Sequence, residues 1–141
     1  MFEANRDQLR NTIVSAWQRY RQKAPLQPLQ QQIALIVERH PEYHRMLAQP
    51  DAAQREFPVE DGQVNPFLHL AMHIAIDEQR STDRPFGFAS LYAELASRVG
   101  DEHELQHRIM DVLGQIMWEA QRAGRPPDHE AYLRQLRERL G

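Results

Sequence analysis

The run Asn65-Pro-Phe-Leu-His69-Leu-Ala-Met-His73-Ile-Ala-Ile-Asp77-Glu-Gln-Arg80 opens with a capping residue followed by a proline, and its apolar side chains then surround most of a helical circumference. A segment apolar on most sides is a buried helix, so the rest of the chain is expected to pack helices around it. On a wheel at 100° per residue, His69, His73, Asp77 and Arg80 share one arc of roughly 80°. Glu78 points instead toward Phe67, Ala71 and Ile74. A carboxylate on that side needs a partner, because burying it unpaired is expensive, unless the helix ends soon enough for it to emerge into water. For the polar arc the plain reading is a solvated stripe, and the chemical one a set of ligands.

Upstream, Asn5 with Gln8 resembles a capping box, and Leu9, Ile13, Ala16, Trp17 and Tyr20 trace a stripe until Pro25. A second helix from about Pro28 carries Leu29, Ile33, Ile36 and Val37 and should stop near His40, since Pro41 disfavours helical geometry at the residue before it. Pro41 then opens a short third helix. Residues 49–64 hold Pro50, Pro58 and Gly62 and read as the longest loop, with one turn after Asp51. Downstream of the central run, Leu91, Tyr92, Leu95 and Val99 mark a helix closed by Gly100. Asp101 and Glu104 open the longest one, to about Arg122, and a last amphipathic helix starts at Asp128. No stretch alternates with period two. The expectation is an all-α protein, a compact bundle of about six to seven helices forming a single helical domain over residues 1–141.

Composition removes several function classes. With no cysteine there are no disulfides, thiolate metal sites or thiol nucleophiles, and the start lacks a basic leader followed by an apolar run. A cytoplasmic protein is expected. The most apolar stretch, residues 67–76, is far short of the ~20 residues a membrane span needs. The net charge of −3 hides mildly basic ends, but these patches are too short to suggest nucleic acid. No glycine-rich phosphate loop is present, so no nucleotide cofactor is expected, and the hydroxyl residues are too scattered to suggest a nucleophile.

The histidines carry the strongest signal. Six of the seven form pairs four residues apart, His40/His44, His69/His73 and His103/His107. Random placement would give roughly 0.3 such pairs, and residues at i and i+4 are neighbours on one helix face. Imidazoles so placed can share a metal ion. His103-Glu104-Leu105-Gln106-His107 also fits His-Glu-x-x-His. It sits in a capped first turn, however, with Arg108 directly after it and no strand to align a peptide, which argues against a metalloprotease. Glu104 with His107 supplies one Glu-x-x-His, where di-iron bundles need two.

The stretches His40-Pro-Glu-Tyr-His44, Asn65-Pro-Phe-Leu-His69-Leu-Ala-Met-His73 through Gln79, and His107-Arg-Ile-Met to Trp118-Glu-Ala-Gln-Arg122 resemble the signatures of an uncharacterised bacterial all-helical family, domain of unknown function family 1841. The resemblance covers nearly the whole chain and implies a fold rather than a reaction. A fainter similarity is to DinB-like metal-binding bundles, in which one histidine on a second helix and a His-x-x-x-His-Arg pair on a later helix hold a divalent metal. His103 to Arg108 fits the second part, and His69 or His73 could supply the first.

The expected site is therefore a divalent transition metal, whether zinc, iron, nickel or manganese, held by His44, His69, His73 and His107, with Glu78 as ligand or supporting carboxylate. Three ligands and an open position would allow hydrolase-like chemistry, and a closed shell would make the ion structural. Catalytic residues are not identified. The competing reading is a non-enzymatic interaction module, in which a second face of the longest helix, with Met110, Gly114 and Trp118, docks a protein partner or a second copy of the chain.

Overall fold

The computed structural model describes residues 2–57 and 65–141, with backbone alone at residues 2–5. Among the described residues the fold is all-helical: α1 (Phe2–Arg21), α2 (Pro28–Glu38), α3 (His44–Leu47), α4 (Pro66–Thr82), α5 (Phe88–Val99), α6 (Glu102–Ala123) and α7 (His129–Leu140), with no strand. Single 3-10 turns cover Pro41–Tyr43 and Ala52–Gln54. Pro58 and Gly62, two of the expected loop signals, lie outside the described residues.

The helix ends follow local chemistry. Asn65 Oδ1 accepts from the N–H groups of Phe67 (3.0 Å) and Leu68 (3.3 Å), satisfying donors that the first turn of α4 leaves open. Asp101 caps α6 in the same way through His103 and Glu104, and Asp128 caps α7 through Ala131. Gly100, at φ 84°, ends α5 in a left-handed conformation that a side chain would strain. Asn5 is not a cap: α1 begins at Phe2, so Asn5 is already inside the helix.

The chain divides into two units, residues 1–74 and 75–141, with the division falling inside α4. In the first unit, Ile13, Ala16 and Trp17 of α1 meet Ile33, Ile36 and Val37 of α2, with Leu47, Phe67 and Leu70 completing the cluster. The isoleucine, leucine, valine and phenylalanine side chains among these each stabilise the fold by about 1.5–3 kcal/mol when fully buried. Leu9 and Leu29, placed on the apolar stripes by periodicity, are instead partly exposed. In the second unit α5, α6 and α7 pack on one another, with Phe88 stacked on Tyr132 at 5.9 Å between ring centroids. Tyr132 is fully buried and donates to Gln79 Oε1 at 2.9 Å. Among the described residues no helix is long and apolar enough to cross a membrane.

Candidate metal centre

His40 owes its place to the proline that follows it. Pro41 ends the α2 geometry and opens a 3-10 turn, leaving His40 at φ −124° and ψ 66°, almost completely buried. Its Nδ1 lies 2.9 Å from the Ile36 carbonyl. A carbonyl only accepts, so Nδ1 carries the proton, and Nε2 is the ring nitrogen turned toward His69. Metal-binding histidines are usually oriented in this way, by donating their other N–H to a carbonyl or carboxylate.

The α4 pair faces this ring within the first unit. His69 Nε2 is 3.2 Å from His40 Nε2, and the His73 ring centroid is 4.8 Å from that of His40 and 4.9 Å from that of His69. Two nitrogens on one tetrahedral ion stand about 3.4 Å apart at ordinary bond lengths, close to the His40–His69 separation. His73 is buried and His69 half-buried. Tyr43 lies nearly parallel to His40, with planes 5° apart and centroids at 5.5 Å, and burial raises its pKa.

In the second unit, the Asp101 cap places His103 in the first turn of α6 and His107 one turn later, their centroids 4.3 Å apart. Gln106, buried between them in sequence, donates through Nε2 to Asp77 Oδ1 (2.8 Å) and Tyr92 Oη (3.1 Å), which fixes the rotation of this turn of α6. His40, His73, His103 and His107 each offer one ring nitrogen, and the four ligand atoms all lie within 4.8 Å of one another. The chain thus has a four-histidine cluster, half of it buried and half partly buried, that can hold a metal ion.

A family profile described as domain of unknown function (DUF1841) matches residues 5–138, nearly the whole sequence. The chain belongs to the DUF1841 family. No curated protein and no solved structure matches it, so the DUF1841 assignment arrives without an activity, and none of the comparisons extends to DinB-like bundles.

Of the residues singled out in the DUF1841 sequence, His73 and His107 are in the cluster of four, and His69 stands beside it against His40. His44 is turned elsewhere: its Nε2 donates to the Val37 carbonyl at 2.8 Å and its ring rests on Trp17 at 4.4 Å. Glu78 is exposed near the end of α4, where its carbonyl accepts from the Ser81 and Thr82 hydroxyls. His40 and His103 belong to the paired spacing but not to the expected ligand set. The spacing contained both, but Pro41 breaks the helix between His40 and His44, so the i, i+4 rule did not apply there. Met110 is buried while Trp118 is about half exposed beside Met117, so the two do not form one exposed face.

Proposed function

We propose that this DUF1841 protein is a metal-binding protein in which His40, His73, His103 and His107 hold one divalent transition-metal ion. The observation that carries the reading is the convergence of four imidazole nitrogens within 4.8 Å. An all-nitrogen set favours borderline cations such as zinc, nickel or copper and disfavours magnesium and calcium, which prefer oxygen. Iron is compatible with imidazole, and manganese less so without a carboxylate.

Four imidazoles complete a tetrahedral shell, and a closed shell is the pattern of a structural ion. Hydrolase-like chemistry would require one position to open. Burial of His40 and His73 supports the closed reading, because it keeps water and substrate from that side. The ion would then contribute to folding, since the four nitrogens converge only in the native chain.

The test is elemental analysis of tag-free protein after supplementation with each metal, alongside a His40→Ala/His73→Ala double variant and a His44→Ala control. Near-stoichiometric metal in the wild type and the control, lost in the double variant, supports the reading. Metal-free folded protein after supplementation overturns it.

A further inference from the structure

Arg10, on α1 in the first unit, is a buried cation: the residue is 3% exposed. Its Nη1 donates to the carbonyls of Ala53 (3.3 Å) and Arg55 (2.7 Å), and its guanidinium lies 4.8 Å from the Phe67 ring centroid and 5.9 Å from that of Phe57. No carboxylate among the described residues pairs with it. The nearby Glu56 pairs with Arg6 instead, at 3.6 Å. A buried charge ordinarily has an ionic partner, because desolvating it alone is costly. Burial, followed by the charge of Arg6, lowers the Arg10 pKa, and Glu56 and Asp7 oppose this. The group nevertheless stays protonated, as arginine does throughout the usual pH range.

The guanidinium borders a cavity of about 320 Å³, within the size range of small-molecule sites. Its apolar wall includes Leu9, Phe57, Phe67 and Leu68, and among the described residues its ionisable lining groups are Arg6, Arg10 and Glu56. Among the described lining residues, two cations face one anion, with Asp7 acting on Arg10 from outside the lining. Leu68 is 60% exposed at the rim, so its side chain is accessible to an apolar body entering the cavity.

We propose that this cavity binds a small monocarboxylate with an apolar body. The carboxylate takes the edge of the Arg10 guanidinium that has no acceptor among the described residues, and the body lies against Phe57, Phe67 and Leu68. One guanidinium edge presents two donors, which match a single carboxylate better than a phosphate dianion. Arginine suits the head group because its planar donors match a carboxylate in two-point contact.

The test is an NMR titration of the full chain with 4-phenylbutyrate, its neutral amide and inorganic phosphate as probes. The acid is expected to give saturable shifts confined to the residues around Arg10, and the amide to bind at least about tenfold more weakly, since a hydrogen bond to a charged group is replaced by a neutral one. Glu56→Gln, at an exposed position, should tighten binding of the acid, and Leu68→Glu should weaken it, with both variants checked for native circular dichroism. No saturation in the millimolar range, equal binding of acid and amide, tighter binding of phosphate, or affinity unchanged in both variants would overturn the proposal. None of these residues is in the histidine cluster, so that failure would leave the metal reading untouched.

Discussion

His40 holds its Nδ1 at 2.9 Å from the carbonyl of Ile36, one helical turn earlier, and this single bond determines which ring nitrogen meets the α4 histidines. His44, four residues further on, is anchored the opposite way round, by Nε2 on Val37. Two histidines of one sequence motif therefore differ in role. His44→Phe should retain full metal loading while losing the bond to Val37, with a stability loss of about 1 kcal/mol. His73→Ala should lose the metal. Elemental analysis and thermal denaturation of the two variants check the contrast.

The Asp101 cap gives a second prediction. Asp101→Ala and Asp128→Ala each remove a side-chain acceptor at a helix start, at a cost of about 1 kcal/mol apiece. Only Asp101 precedes the turn that carries His103. Under the proposed function, Asp101→Ala should weaken metal affinity and Asp128→Ala should leave it unchanged, as read by competition with a chromogenic chelator.

Gln106 ties Asp77 to Tyr92 inside the second unit. Gln106→Met keeps the volume but removes the donor, leaving Asp77 and the Tyr92 hydroxyl without it. The expected loss is about 1–3 kcal/mol in chemical denaturation. Because the residue precedes His107 directly, metal affinity should also fall about tenfold or more. Unchanged affinity in a stably folded variant would show that Gln106 serves packing alone.

Tyr132 predicts an alkaline limb of the stability curve. Burial raises its pKa above the ordinary value of 10.0, so the folded protein favours the neutral phenol. The sign follows from linkage: stability from this group is fully present below pH 10.0 and is lost as pH rises from there toward the higher folded value. Tyr132→Phe removes the bond to Gln79, costing about 1 kcal/mol at neutral pH, and should flatten the decline above pH 10. Urea denaturation at neutral and alkaline pH reads both effects.

Much of the fold was legible because helix ends are written in single residues. Asn65-Pro66, Gly100, Asp101 and Asp128 each mark a boundary through a local hydrogen bond or backbone preference, and no distant contact is needed to read them. The site was legible only in part. Spacing located His69, His73 and His107, but it cannot show how a proline turn rotates His40 away from His44, nor which way a first-turn histidine such as His103 faces. Glu78 illustrates a related limit. A wheel assigns it to the apolar side of α4, yet the helix ends four residues later and the side chain reaches water.

Among the described residues the histidine cluster contains no carboxylate and no thiolate, so the two positive charges of a bound ion would be left uncompensated within it. In a chain whose formal charge is only −3, gaining two positive charges removes most of the electrophoretic driving force at neutral pH. The loaded and stripped forms should therefore separate as distinct bands in a native gel, turning occupancy into a visible change of mobility.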